Sequence, residues 1–143
     1  MKMDASIFIK SLTVSEVESV PIELYTKGNY YRKNNSYYIS YAEKNENGEE
    51  LGNAVIKVSD DNVVSVMKPS NGTSMVMESG KHNECRYDTQ NGELIFGIET
   101  DYIVNKLNDD GGTVDMKYRI EVNSILLNEV TLSISVKTLS KGI

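Results

Sequence analysis

Apolar residues recur at every second position through almost the whole chain, and clusters of Asn, Asp, Gly and Pro interrupt them about every ten residues. That combination restricts the chain to paired strands, because a 3.6-residue period is nowhere sustained beyond about a turn or two. The stretch 13–19 alone has room for a short helical turn. Turn signals at Asn34-Asn35, Asn47-Gly48, Asp60–Asn62, Pro69–Gly72, Gly80, Asn91-Gly92 and Asp109–Gly111 divide the chain into strands.

Hairpin geometry makes these registers testable, since directly opposed residues share a face and the turn length sets which residues oppose. A two-residue turn at Asn34-Asn35 pairs Tyr30 with Ile39 and Gly28 with Tyr41 on one face, and Tyr31 with Tyr38 on the other. The turn at Asn47-Gly48 then sets Tyr41 against Ala54, Ile39 against Ile56 and Tyr37 against Val58. A three-residue loop at Asp60–Asn62 adds Val58 with Val64 and Ile56 with Val66, and Met75 and Met77 continue the same apolar face. Farther along, Asn91-Gly92 is expected to pair Cys85 with Ile98 and Tyr87 with Phe96. A three-residue loop at Asp109–Gly111 is expected to pair Val104 with Met116 and Tyr102 with Tyr118. Successive hairpins sharing one apolar face must curl or stack, so the expected fold is an all-β antiparallel meander barrel of eight to ten strands. The face of the first strand is left open by this reasoning.

At 143 residues, with 39% apolar and 25% charged, the chain has the size and composition of one globular domain, 1–143, able to bury a core unaided. A net charge of -6 argues against nucleic acid and anionic membrane surfaces, both of which need a basic face. No apolar run approaches the roughly 18 residues of a membrane helix. The single Cys85 excludes an internal disulfide, and the opening MKMDASIFIK has no apolar h-region, so the expected compartment is the cytoplasm.

The segments Ile22-Glu-Leu-Tyr-Thr-Lys-Gly-Asn-Tyr30, Tyr38-Ile-Ser-Tyr-Ala-Glu43, Met75-Val-Met-Glu-Ser-Gly80 and Arg86-Tyr-Asp-Thr-Gln-Asn-Gly92, followed by Thr100, resemble a YwiB-like bacterial family. The resemblance covers most of the chain and implies a calycin-type, lipocalin-like barrel of unknown function. The chain departs from true lipocalins, which carry an early Gly-x-Trp signature, in having no Trp at all. The resemblance therefore implies a fold and no activity.

The registers turn polar groups inward: Glu43, Lys68, Thr26, Asn83 and Thr100, with Tyr30, Tyr37, Tyr41, Tyr87, Tyr102 and Tyr118. Glu43 falls opposite Gly52 and Lys68 opposite Ala54, so the two charges are expected to meet across that strand. One functional reading is a small-ligand module, with Glu43 and Lys68 at a polar barrel mouth and Tyr41, Tyr87 and Tyr118 along the wall, taking a small amphipathic or anionic molecule. The other is a protein-interaction module, joining a protein partner or a second copy through outward Tyr25, Tyr31 and Tyr38 over a packed interior. His82 is expected opposite Asp101 as a surface ion pair. With one His and one Cys, neither a side-chain zinc site nor a histidine-based triad can be assembled, so no catalytic residue, metal or cofactor is expected.

Overall fold

A computed structural model describes residues 2–89 and 91–139, with the backbone alone for Asn71 and Thr89. The strands are β1 (Met3–Val14), β2 (Ser19–Lys33), β3 (Ser36–Lys44), β4 (Glu50–Ser59), β5 (Val63–Lys68), β6 (Thr73–Glu78), β7 (His82–Thr89), β8 (Gly92–Asn108), β9 (Gly111–Val122) and β10 (Ile125–Thr138). Each pairs antiparallel with its sequence neighbours, and β1 pairs with β10, so ten strands close into a meander barrel. The one described helical turn is a 3-10 turn at Pro69–Asn71; Thr13–Ser19 holds a tight turn instead, with the Ser15 N–H donating to the Glu18 carbonyl.

The first three hairpins follow the expected registers. Asn34 and Asn35 both have positive φ, 51° and 63°, the two-residue geometry that matches the strand twist. Tyr30 opposes Ile39, Ile39 opposes Ile56, Ile56 opposes Val66 and Val64 opposes Met77. The barrel also fixes the face of β1: Ala5 and Ile7 are fully buried inside.

Two registers differ from expectation. At the β7–β8 hairpin Thr89 opposes Gly92, so Cys85 faces Phe96 and Asn83 faces Ile98; a shift of two residues changes partners but keeps faces. At the β8–β9 hairpin Asn108 opposes Gly111, leaving Asp109-Asp110 as a two-residue turn, and Ile103 rather than Val104 opposes Met116. That shift of one turns Tyr102 and Val104 outward, each 41% exposed. An extra residue, Asp101, bulges out between Thr100 and Tyr102, which returns Thr100 to the inward face opposite Tyr118. Gly112 permits the tight start of β9: its φ is 127°, and a Cβ there would strike the Lys106 carbonyl oxygen.

The barrel has unlike ends. At the end carrying the Asn34-Asn35, Asp60–Asn62 and Asp109-Asp110 turns, β8 outruns its pairing with β7, and the β8–β9 hairpin reaches across to β2 and β3. The Tyr30 hydroxyl donates to the Asn108 carbonyl at 2.7 Å, and Tyr37 donates to Asp109 Oδ1 at 2.7 Å. The two rings stack with centroids 5.1 Å apart, and Arg32, paired with Asp60, lies 4.7 Å above Tyr37. Beneath this plug sit the fully buried Ile7, Ile39, Val58, Val64, Met77, Ile98, Val114, Met116 and Ile134. At the opposite end the inward rows run out into solvent, with Val20, Ile22, Leu24, Leu94 and Tyr87 exposed.

Candidate functional site

Tyr41 on β3 and Tyr118 on β9 are buried on the inward face, between the apolar plug and the open end. Burial pushes both phenols up to about 12, with the Glu43 charge adding to Tyr41 and Cys85 adding to Tyr118. The hydroxyls of Tyr30 and Tyr37 donate hydrogen bonds, whereas those of Tyr41 and Tyr118 have no partner among the described residues. Between pH 10, where the unfolded phenol ionises, and about 12, the folded state retains protons that the unfolded state loses. Stability is therefore full below pH 10 and falls across that window, by roughly 2 to 3 kcal/mol per tyrosine. Melting temperature against pH, with tyrosinate absorbance on the same samples, checks this; flat melting from pH 10 to 12 would contradict it.

Thr100, 2% exposed, and the Asn83 side-chain oxygen lie on the same inward surface of β7 and β8, and neither Thr100 Oγ1 nor Asn83 Oδ1 has a partner among the described residues. The Asn83 amide donates from Nδ2 to Glu78 Oε1 at 3.2 Å, which fixes the orientation of its carbonyl. Both residues belong to the inward polar set that the sequence predicts, but no sequence signal says that they go unpaired. An unpaired buried hydroxyl costs about 1–3 kcal/mol. Thr100→Val, which keeps shape and removes that group, is therefore expected to raise stability by about 1 kcal/mol in a denaturant titration.

Lys68 shares its face with Val64 and Val66 at the end of β5 and is half-buried. Glu43 does oppose Gly52, but it does not reach Lys68: its Oε1 accepts a hydrogen bond from Ser70 Oγ at 2.7 Å, which ties β3 to the Pro69–Asn71 turn. No ion pair joins Lys68 to a carboxylate among the described residues. Tyr87 remains in the inward row but stands at the rim, 38% exposed. Cys85 is buried, and burial pushes its thiol up, away from a reactive thiolate. Four surface depressions, of about 540, 140, 170 and 320 Å³, lie elsewhere, and none of these four is lined by Tyr41, Lys68 or Tyr118.

The outward tyrosines do not make one patch. Tyr31 and Tyr38 stack at 4.9 Å and 3°, beneath Lys2 and Lys57. Tyr25 stands six residues away on β2, about 20 Å along the strand, stacked on Phe8. His82 opposes Glu99 rather than Asp101; Arg119 Nη2 takes both carboxylates, at 3.0 Å each. Among the described residues no three His, Cys, Asp or Glu side chains converge as metal ligands, and no helix is long and apolar enough to cross a membrane.

A closed ten-strand meander, plugged at one end and carrying unpaired polar groups inside, defines the class as an all-β antiparallel meander barrel, the architecture expected of a calycin-like fold. The chain belongs to the family described as Domain of unknown function (DUF1934), which matches residues 7–134. It is similar to the uncharacterized β-barrel protein YwiB of Bacillus subtilis (strain 168), with 26% identity over 117 residues, 82% of this chain and 81% of that one. The crystal structure of the YwiB protein from Bacillus subtilis superposes with a TM-score of 0.82 at 24% identity, covering 97% of this chain and 94% of that one.

Proposed function

We propose that the chain is a binding module rather than an enzyme, and that the open-end half of its barrel holds a small amphipathic anion. The observation that carries this reading is the half-buried Lys68, whose ammonium is unpaired with any carboxylate among the described residues while Glu43 is engaged by Ser70. An unpaired ammonium on a half-buried side chain is free to take an ionic partner. In the proposed complex Lys68 receives the anionic group, the free hydroxyls of Tyr41 and Tyr118 donate to it or to a neighbouring acceptor, and Tyr87 covers the apolar part at the rim. Glu43 serves the site indirectly, by holding the turn that follows Lys68. One cysteine, buried and unpaired, supports placing this function in the cytoplasm. A native mass spectrum of gently purified protein, compared with the denatured mass, tests the reading: a stoichiometric small-molecule adduct is expected, and a bare mass together with no shift in melting on adding amphipathic anions would refute it.

A further inference from the structure

Beyond the barrel interior, β2 carries an unused sheet edge. It pairs with β1 from Ser19 through Tyr30 but with β3 only from Gly28 through Lys33, so β2 and β3 part at Gly28 and Tyr41. Residues 19–27 line one side of the resulting notch, and the β3–β4 hairpin lines the other. Every residue from Ser19 to Tyr25 is exposed. Val20, Ile22 and Leu24 form a period-two apolar row on the inward side, with Ile22 at 56%.

Strand parity fixes which backbone groups face the notch. The Asn34-Asn35 turn makes Lys33 and Ser36 the pair that exchanges both hydrogen bonds, so odd-numbered residues of β2 aim their N–H and C=O toward β3. By the same parity Glu23 and Tyr25 aim theirs into the notch. Pro21, which has no N–H, has the same parity, as expected of a proline on a free edge.

The rim is acidic. Glu16, Glu18 and Glu23 stand on one side and Glu46, Glu49 and Glu50 on the other, against Lys27 and Lys44 and against Lys10, which opposes Glu23 from β1. A second copy of this strand does not fit: paired antiparallel, its β1–β2 turn would run into β3 where β3 joins at Gly28. We infer that the notch docks an extended segment of another protein that alternates apolar and basic residues and ends or bends at the Gly28 fork. Its apolar side chains cover Val20, Ile22 and Leu24, its backbone pairs with Glu23 and Tyr25, and its basic side chains meet the acidic rim.

The probe is a synthetic peptide alternating lysine and valine over about eight residues, followed by fluorescence anisotropy at physiological salt. A peptide of the same composition with its lysines and valines in two blocks is the control. Saturable binding of the alternating peptide is expected, roughly tenfold tighter than the control, because only alternation separates the two faces of a strand. Glu23→Pro should weaken binding several-fold more than Glu23→Gln, since it removes an edge donor as well as the charge. Ile22→Lys, at an exposed position, should also weaken binding, and amide exchange at Glu23 and Tyr25 should slow when the peptide is added to the unaltered chain. Equal affinity of the two peptides, unchanged exchange at those amides, or dimerisation of the free chain that Glu23→Pro abolishes would each overturn the inference; the last would assign the edge to a second copy.

Discussion

Lys68→Met is expected to remove the bound molecule from the native mass spectrum completely while leaving the melting temperature within about 2 °C of the parent chain. The reasoning is electrostatic. Lys68 has no carboxylate partner among the described residues, so its removal strands no buried counter-charge, and the strong destabilisation that follows when a buried pair is broken is not expected. A methionine keeps the length and the apolar stem. The ligand, in contrast, loses a charge-assisted contact, for which removing one partner costs about 2–5 kcal/mol, at least tenfold in affinity. An adduct of unchanged mass and occupancy in the variant would show that Lys68 does not hold the anion. Tyr41→Phe and Tyr118→Phe should each weaken retention less, since each removes one hydrogen bond.

Tyr30→Ala is expected to destabilise the barrel by about 4 kcal/mol, the middle of the range for deleting a buried aromatic. Tyr30 is fully buried, stacks on Tyr37 and holds the Asn108 carbonyl, so its loss leaves a cavity and frees the β8–β9 hairpin from β2 together. Tyr30→Phe separates the two contributions: it keeps the ring and should cost about 1 kcal/mol, the net worth of one hydrogen bond. Urea unfolding of the three chains gives both numbers. A Phe variant as unstable as the Ala variant would mean that the hydrogen bond, rather than the packing, closes this end.

The hairpins Asn34-Asn35 and Asp60–Asn62 are legible because turn length and residue type agree there and the neighbouring strands confirm the same apolar face. At Asn47-Gly48 the turn is longer, the Asn45 N–H donating to the Glu49 carbonyl, and a bulge between Glu43 and Lys44 restores the expected register from Glu43 onward. The β8–β9 hairpin misled for a local reason. Gly111 invites a three-residue loop, but Asp109 and Asp110 make the turn, and the bulge at Asp101 cancels the resulting slip before Thr100. A three-residue loop there turns Tyr102 inward, a register wrong by one residue, whereas Tyr87 lies on the face its alternation indicates and is exposed because its strand ends at the rim.

Of the proposed site, the sequence alone determined which side chains share the inward face: Tyr41, Tyr118, Thr100, Asn83 and Lys68 follow from period-two alternation, a property of each strand by itself. It also determined that the chain is a barrel of consecutive hairpins. Only the tertiary structure decided which of those groups find partners. Ser70 takes Glu43 from a turn 27 residues away, Arg119 takes Asp101, the carboxylate expected opposite His82, together with Glu99, and the β8–β9 hairpin plugs one end by reaching Tyr30 and Tyr37 across the barrel. Such choices depend on how far each strand outruns its neighbours and on where a bulge resets the register, and a strand's own alternation carries no record of either.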